Sequence, residues 1–478
     1  MNLLREVSEQ DATKIGQELL RFAEELYPIC RSITGDGIRR TLAKIQDRIP
    51  LRICEIPTGT PVFDWTVPKE WNIRDAYIKA PGGRRVVDFL KCNLHVLNYS
   101  PPVHATLPLS ELKPHLFTIP EQPDLIPYRT SYYNDEWGFC LSHNQMLALE
   151  DGDYEVCIDS TLEDGHLTYG ECYLAGRSSD EVLISCHACH PSLANDNLSG
   201  LAVATFLAQL LSGRDLRYSY RFLFIPGTIG AITWLARNRE TAARIRHGLV
   251  LTCIGDKGGF HYKKSRRGNT DIDRVAAHVL RHSGESAEIL EFSPYGYDER
   301  QYCSPGFNLP VGCLMRSVWG SFPEYHTSAD NLDFIRPSQL AGSLFVCAAI
   351  LDTLENNRWY RSESPYCEPQ LGRRNLYWSA GGETSGEEEI MARLWVLNLS
   401  DGNHSLLDIA ERSGILFSTI SEAADLLWQK GLLSIIPDPG QGTPAGGTSR
   451  EGNSQLRKGT PSVSTARSDL LSSGDGRE

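Results

Sequence analysis

The residues best suited to chemistry lie close together in the segment 185–200, which reads SCHACHPSLANDNLSG. Thiolate, imidazole and carboxylate groups each offer a lone pair to a metal once deprotonated, and a short loop holds them near one another. The pattern therefore predicts a site for a divalent metal. The groups concerned are two thiols, two imidazoles and one carboxylate: Cys186, Cys189, His187, His190 and Asp196.

The same segment permits other interpretations. Residues 186–190 (CHACH) match the haem-attachment pattern, and Cys186 with Cys189 matches a redox or zinc-knuckle pair. Haem attachment requires an exported protein, and a zinc knuckle requires a second ligand pair at matching spacing, which the sequence lacks. Buried thiols and histidines that bond to the backbone are the remaining, purely structural alternative.

A second polar cluster, PEYHTSADN, occupies residues 323–331 ahead of a helical pattern. A single histidine such as His326 is more often structural than a ligand, and Asp330 could cap the helix that follows. Combined with the first segment, the cluster indicates a shared metal site. His187 and Asp196 from one loop and His326 from another form a three-ligand set with room for water or substrate.

The elements that must position these residues follow an α/β pattern between residues 154 and 360. Such alternation is typical of helices packed on a largely buried sheet, whose strand ends bind ligands. The segment 185–200 joins a strand to a helix in this pattern. The strand-like runs are 154–158, 167–174, 182–185, 220–225 and 249–253, and the helical runs are 198–211 and 232–238.

The regions on either side of this pattern differ from it. Residues 11–46 have apolar positions at helical spacing. Residues 51–150 contain clustered prolines and short β-leaning runs, which predicts an inserted β-rich module. After a polar connection, residues 390–436 show three short helical patterns and a strand-like run, in the order of a winged helix. From residue 437 the chain has almost no apolar content, so we expect a disordered tail.

Charge and composition make several classes of binding partner unlikely. Of the chain's 478 residues, 41% are hydrophobic and 22% are charged. The 47 basic and 60 acidic side chains give a formal charge of -13, so nucleic acid and anionic membranes would be repelled. We find no run with the length of a signal peptide or membrane span. The 13 cysteines are scattered and odd in number, so we expect a cytoplasmic protein without a disulfide framework.

The winged-helix pattern also permits a DNA-binding regulator. A groove-reading helix needs Arg, Lys, Asn or Gln facing bases and phosphates. The run 417–430 offers Gln429 and Lys430 only at its end, and it contributes Glu422 and Asp425. We therefore expect no nucleic-acid partner, and instead a homo-oligomer or protein contact through these helices.

Four longer motifs stand out: 26–35 (LYPICRSITG), 189–197 (CHPSLANDN), 298–306 (DERQYCSPG) and 324–330 (EYHTSAD). Together they resemble a bacterial aminopeptidase-like family within the zinc aminopeptidase and glutaminyl cyclase superfamily. The resemblance implies a zinc-aminopeptidase-like mixed sheet flanked by helices, an inserted small β-rich domain and a C-terminal winged-helix domain. Members of this family are often associated with surface-polysaccharide or specialised-metabolite gene sets.

The resemblance also implies a division of the chain. The aminopeptidase-like α/β domain comprises residues 1–50 and 151–360, and the inserted β-rich domain comprises 51–150. The winged-helix-like domain comprises 388–436, and the tail 437–478.

The metal site carried over from the family is incomplete. The resemblance implies zinc as the cofactor and His187, Asp196 and His326 as its ligands, with Asp196 at the position of the carboxylate that bridges two metals in the di-zinc enzymes. Close relatives have a glutamate in PETIG after the next strand, where this chain reads PGTIG at 226–230. Gly227 has no side chain to take a proton, so the usual general base is missing.

A further ligand of the di-zinc enzymes is also missing. The expected strand-end aspartate falls on Thr252 or Cys253, and Asp256 is the nearest substitute. The retained His, Asp and His set suits one zinc better than two.

Other residues gain roles only through the resemblance. Glu324 and His190 are the candidates to replace the base, and their alternative role is to support the ligands or to cap a turn. Arg300 and Asp298 lie where the family has a loop that opens towards the active site, and Arg300 could hold a substrate carboxylate by a bidentate contact. Arg31 in the first motif is a similar substrate-binding candidate. Either arginine could instead form an internal ion pair.

We therefore expect a zinc-dependent aminopeptidase-like enzyme that acts on an aminoacyl or peptide-like small substrate, in a biosynthetic pathway. Because Gly227 lacks the usual base, two types of reaction stay open. If another group supplies the base, the protein hydrolyses its substrate; if none does, it performs an acyl transfer or cyclisation like the glutaminyl cyclases. A non-catalytic zinc-binding protein is the remaining alternative.

Overall fold

The computed structural model describes residues 9–376 and 386–438. The helices are α1 (Glu9–Leu26), α2 (Asp36–Gln46), α3 (Leu109–Leu112), α4 (His143–Leu147), α5 (Gly200–Leu211), α6 (Ile229–Arg237), α7 (Arg239–Ala242), α8 (Asp271–Arg281), α9 (Glu299–Tyr302), α10 (Pro337–Asn356), α11 (Glu387–Leu399), α12 (Leu406–Ser413) and α13 (Phe417–Gln429). The strands are β1 (Arg52–Pro57), β2 (Pro61–Val62), β3 (Trp65–Thr66), β4 (Glu70–Lys79), β5 (Arg85–Asp88), β6 (Val103–Pro108), β7 (Leu116–Phe117), β8 (Phe139–Cys140), β9 (Asp153–Glu163), β10 (His166–Leu174), β11 (Glu181–His187), β12 (Ser219–Ile225), β13 (Ile245–Leu251), β14 (Phe260–Lys263), β15 (Ala287–Leu290), β16 (Val311–Met315), β17 (Trp359–Ser362), β18 (Asp401–Ser405) and β19 (Leu433–Ile436).

In the described part of the chain, eight strands form a mixed sheet in the order β1-β10-β12-β11-β13-β16-β14-β15. β11 lies between β12 and β13 and is parallel to both. Every residue of β11 and β12 is buried, as expected of central strands covered on both faces. Because β12 and β13 follow β11 on opposite sides, the carboxyl end of β11 lies where the strand order reverses, the usual ligand position in open α/β sheets.

Two apolar layers cover this sheet. One contains α5, α8, α10 and α1, whose Leu19, Phe22 and Leu26 recur at helical spacing and are fully buried. The other contains α6 and side chains of the region 51–150, such as Trp71. The prediction of a mixed sheet flanked by helices is therefore confirmed.

Among the described helices, α10 alone is long and apolar enough to cross a membrane. However, 61% of its apolar stretch is buried inside the protein, where the helix packs against α1, α5 and α8. The length and composition of α10 are thus those of a core helix.

A smaller sheet has the order β5-β4-β9-β6. The sequence prediction assigns residues 154–158 to the α/β domain, but they lie in β9, which pairs with β4 and β6 in the small sheet. Conversely, β1 falls in the predicted insertion but pairs with β10 at the edge of the large sheet. These two assignments were wrong because alternating burial identifies a strand but not its partner. The domain limits themselves stay a prediction.

The C-terminal region forms the predicted winged helix. β18, β17 and β19 make a three-stranded sheet in that order, and α11, α12 and α13 pack against one another. Phe417, at the start of α13, donates its backbone N–H to His278 Nε2 of α8 at 3.1 Å. Arg274 of α8 forms ion pairs with Asp408 and Glu411 of α12. The apolar side chains of α12 and α13 are buried inside the chain: Leu406, Leu407, Ile409 and Leu427.

All 13 cysteines are free thiols. Cys186 and Cys189 are buried at the end of β11, and Cys186 Sγ donates to the Gly200 carbonyl at 3.4 Å. Residues 377–385 of the polar connection before α11 and nearly all of the predicted disordered tail (439–478) lie outside the described residues.

Candidate metal centre

The candidate centre lies at the carboxyl end of β11, where His187 is the last residue of the strand. The chain then passes through the irregular segment Ala194–Ser199 before α5 begins. Asp330 fixes this segment, because its buried carboxylate accepts the backbone N–H groups of Asn195 at 2.6 Å and of Asp196 at 3.0 Å. The second polar cluster of the sequence thus holds the carboxylate of the first in place.

Three imidazoles surround the carboxylate of Asp196. His187 Nε2 lies 2.7 Å from Oδ1. At the other oxygen, Oδ2, His326 Nε2 lies 3.1 Å away and His190 Nε2 lies 3.9 Å away. Burial alone would raise the pKa of Asp196, but the adjacent His190 and His187 imidazoles lower that pKa well below its usual range. The centre is therefore built around an ionised, buried carboxylate.

His190, which the sequence offers as a base or supporting residue, belongs to this cluster. The candidate ligand atoms of His187, His190 and Asp196 all lie within 4.8 Å of one another. Burial lowers the pKa of His190 to about 3, so its imidazole is neutral at physiological pH. A neutral imidazole is the form that binds a metal or accepts a proton.

His326 reaches the centre from the loop between β16 and α10. Tyr128, from the region 51–150, donates its backbone N–H to the His326 carbonyl at 2.7 Å. The Tyr128 ring centroid lies 5.0 Å from that of His190 and 5.1 Å from that of His326. Tyr325 stacks on His326 with centroids 4.0 Å apart. Aromatic rings therefore enclose the histidines, and the predicted insertion supplies one of them.

This donor set fits a divalent metal. Imidazole nitrogen and carboxylate oxygen are ligands that zinc binds in proteins. Within residues 9–376 and 386–438, the ion-pair partners of Asp196 are His187, His190 and His326, so no lysine or arginine neutralises its charge. Asp330 supports Asp196 through the backbone, as buried outer partners of metal ligands do. The structure brings the three predicted ligands together and adds His190 as a further nitrogen.

Gly227, at the position of the missing base, faces a tyrosine. A Cβ atom on Gly227 would lie 2.3 Å from the hydroxyl oxygen of Tyr297 and 2.9 Å from its Cζ atom. The Tyr297 ring lies against His187, with centroids 3.8 Å apart. Tyr297 thus fills the space that a side chain at residue 227 would need. Burial raises the pKa of Tyr297 well above its usual value, so the phenol stays protonated.

Asp256, the nearest substitute for the missing strand-end ligand, uses both carboxylate oxygens elsewhere. Its Oδ1 accepts the Gly258 N–H at 2.6 Å and the Ser317 hydroxyl at 2.7 Å, while Oδ2 accepts Asn195 Nδ2 at 2.7 Å. Asp256 therefore stabilises the loop that carries the ligands. Its contacts do not support a role as a ligand.

Arg31 is buried beside the centre without forming the internal ion pair that the sequence allowed. Its Nε donates to the His190 carbonyl at 2.8 Å and its Nη1 to the Leu26 carbonyl at 2.6 Å. Its Nη2 has no hydrogen-bond partner among the described residues. Burial lowers the pKa of Arg31 to about 10. Contact with a substrate carboxylate stays a prediction for this residue.

The other predicted site residues lie at the start of α9 and in the loop that precedes α10. Asp298 is buried and accepts the Thr228 N–H at 2.6 Å, and burial raises the pKa of Asp298 to about 7. Arg300 Nε is buried without a partner among the described residues. Glu324 is half-buried in the second cluster, where its carbonyl accepts the Thr327 N–H at 3.1 Å. The substrate-binding roles of Asp298 and Arg300 and the catalytic role of Glu324 stay predictions.

Comparison with protein families identifies the domain that holds this centre. Residues 20–357 match DUF4910, a domain of unknown function, over more than half of the chain. The chain belongs to the DUF4910 family. Residues 358–435 match a winged helix-turn-helix family, in agreement with the C-terminal sheet and helices.

Two matches from one organism extend over both the DUF4910 domain and the winged helix. A protein of Clostridium acetobutylicum is 52% identical over 427 residues, which cover 89% of this chain and 98% of the relative. Its name refers to polysaccharide biosynthesis and an aminopeptidase-like domain. A crystal structure from the same organism, named as a peptidase, has 52% identity, a TM-score of 0.85 and coverage of 89% of this chain and 98% of that one.

A zinc aminopeptidase from Bacillus subtilis shows the same fold at 13% identity. Its TM-score is 0.52, and the match covers 71% of this chain and 94% of that one. The aminopeptidase-like architecture predicted for the DUF4910 domain is therefore confirmed.

Three residues of the DUF4910 domain take part in the centre beyond those expected. Asp330 supports the ligand loop, although the sequence suggested a helix cap. Tyr297 directly precedes the motif at 298–306, which was its only signal in the sequence. Tyr128 lies about 200 residues from His326 in the chain, and no local pattern indicates their contact.

Proposed function

We propose that this protein is a zinc-dependent, aminopeptidase-like enzyme that acts on an aminoacyl or peptide-like small substrate in a biosynthetic pathway. The observation that carries the proposal is the buried Asp196 carboxylate with His187 at one oxygen and His326 at the other. The name of the Clostridium acetobutylicum relative supports a biosynthetic role. The Bacillus subtilis zinc aminopeptidase supports the fold alone.

The chain's own residues would bind and orient the substrate around this centre. Zinc bound by His187, Asp196 and His326 would supply Lewis acidity towards a carbonyl oxygen or a water molecule. His190 is neutral and close enough to serve as a further ligand, whereas a pKa of about 3 makes it a weak proton acceptor. Arg31 is a buried cation beside His190 that could bind a substrate carboxylate.

Gly227 favours a second candidate reaction. A hydrolase needs a group that takes a proton from water, an effect worth about a hundred- to ten-thousand-fold in rate. The position that would carry this carboxylate has no side chain, and a protonated phenol occupies its space. We therefore propose acyl transfer or cyclisation, as in the glutaminyl cyclases, as the alternative to hydrolysis.

We also propose a cytoplasmic location and no nucleic-acid or membrane partner. The free thiols suit a reducing compartment. Two carboxylates of α12 pair with Arg274 inside the chain, and the formal charge of -13 disfavours contact with phosphates. A homo-oligomer or protein contact through the C-terminal helices remains part of the proposal.

Metal analysis tests the centre. Protein purified without added zinc should contain close to one equivalent, and His326→Ala should lose it. His104→Ala, in an exposed position on β6, is the matched control and should retain the metal. Two equivalents of zinc in the wild-type protein would contradict a single site built on three residues.

Turnover separates the reaction classes. We expect weak or absent hydrolysis of leucyl and other aminoacyl amides, with and without chelator. Robust, chelator-sensitive hydrolysis would show that His190, Glu324 or another group has replaced the base. Zinc-loaded protein without any turnover on aminoacyl donors, with or without amine acceptors, would favour a non-catalytic binding protein.

A further inference from the structure

The space beside Gly227 is occupied by a polar group of a different kind from a carboxylate. The Tyr297 hydroxyl lies so close that even a Cβ atom at residue 227 would overlap it. A carboxylate accepts hydrogen bonds, whereas a protonated phenol can donate one. At this point the centre therefore offers a donor where the zinc aminopeptidases offer an acceptor.

The Tyr297 side chain is held in a defined position. Its ring lies against His187, one of the proposed ligands. Its backbone N–H is within hydrogen-bond distance of both carboxylate oxygens of Glu299, at 3.2 and 3.1 Å. Glu299 is buried and paired with Lys263 at 2.8 Å. A buried ion pair thus anchors the loop that presents the phenol.

The hydroxyl has no strong partner in the described part of the chain. Its hydrogen-bond contact there is the Cys189 thiol sulfur, 3.8 Å away. Sulfur is a weak acceptor, and Cys189 Sγ already receives the Gly227 N–H at 3.2 Å. Tyr297 is therefore free to donate to a stronger acceptor in a bound molecule.

We propose that the Tyr297 hydroxyl donates a hydrogen bond to the carbonyl oxygen of an acyl substrate as that oxygen gains negative charge. This inference rests on the proposed function and names the group that recognises its substrate class. A preorganised donor aimed at a developing oxyanion lowers the barrier to attack on a carbonyl. Such a donor acts on the carbonyl oxygen whichever nucleophile attacks the carbonyl carbon, so the inference applies to hydrolysis and to acyl transfer alike.

The test uses full-length protein with zinc and acetohydroxamate, a small ligand that presents a carbonyl oxygen and carries negative charge on a metal. Tyr297→Phe keeps the ring against His187 and removes the hydroxyl. Tyr295→Phe, 63% exposed and two residues away, is the matched control. Zinc content, thermal stability and acetohydroxamate affinity are measured for each protein.

We expect Tyr297→Phe to keep its zinc and its stability but to bind acetohydroxamate at least about tenfold more weakly, because a hydrogen bond to a charged group is lost. Tyr295→Phe should match the wild type. Equal affinity in Tyr297→Phe, or no binding by the zinc-loaded wild type, would overturn the inference and leave the proposed function standing. A wild-type protein that holds no zinc would overturn both.

Discussion

The contact between Gly227 and Tyr297 makes a quantitative prediction for Gly227→Ala. The new Cβ atom would lie 2.3 Å from the tyrosine oxygen, whereas ordinary van der Waals contact begins at 3.4 Å. Atoms 2.9 and 3.0 Å away, Cζ and Cε1 of the same ring, prevent a small rotation from relieving the overlap. The ring must therefore move as a whole.

Overpacking of this kind costs about 1–3 kcal/mol of unfolding free energy. Replacing a glycine also removes conformational freedom from the unfolded chain, which stabilises by about 0.4–1 kcal/mol. Gly306→Ala measures this second effect alone, since no atom lies within 4 Å of a Cβ there. We expect Gly227→Ala to be destabilised relative to Gly306→Ala by about 1–3 kcal/mol.

Urea unfolding of a double-mutant cycle provides the assay. Tyr297→Ala removes the obstructing ring, so Gly227→Ala should cost little in that background, and the coupling energy should reach about 1–3 kcal/mol. Additive effects, within about 0.5 kcal/mol, would show that the two residues do not compete for one space. For the same reason, Gly227→Glu alone should not gain hydrolysis of leucyl amides, whereas Gly227→Glu with Tyr297→Ala has room for the carboxylate.

Three further outcomes follow from other contacts in the structure. Asp330→Ala should weaken zinc binding about 10- to 100-fold in competition with a chelator, because it frees the backbone that carries Asp196. Burial, His282 and nearby charge lower the pKa of His278 from 6.5 to about 4. Between these pH values the folded protein binds fewer protons than the unfolded chain, so its stability decreases as the pH falls from about 6.5 towards 4. His278→Gln, which cannot titrate, should show a smaller drop in the urea midpoint between pH 7 and pH 5; an equal drop would contradict this account. Arg274→Ala should lower stability by about 1 kcal/mol, less in high salt, because the ion pairs with α12 are partly exposed.

Much of the centre could be predicted from local patterns. A buried strand ending at His187 and a polar loop leading into α5 place ligands at the edge of the sheet, and the structure has this arrangement. The two polar clusters suggested the link to His326, and the family resemblance then supported it, because the residues are far apart in the chain and local spacing does not connect them. The winged helix also follows from local helical periodicity and the order of its elements.

The remaining features depend on contacts between distant segments. β1 pairs in the large sheet and β9 in the small sheet, opposite to the sequence prediction. Packing between distant segments decides this pairing, and a pattern of alternating burial does not encode it. Gly227 shows in sequence as a missing base, but the group that fills its space comes from a loop 70 residues later. His190 shows in sequence as a neighbour of the ligands, and only its distance to Asp196 places it in the cluster.

The nature of the group beside Gly227 bears on whether Tyr297 only fills this space or also serves a bound molecule. Loss of a large side chain leaves a void, and close packing favours filling it. An aromatic ring alone would achieve this, so packing against Gly227 and His187 would be satisfied by phenylalanine. A hydroxyl that points at a buried thiol contributes little to stability, because sulfur is a weak acceptor and its hydrogen bond does not offset the cost of removing the hydroxyl from water. The tyrosine is therefore poorly explained as a filler and well explained as a donor to a bound molecule, which is the role proposed for its hydroxyl.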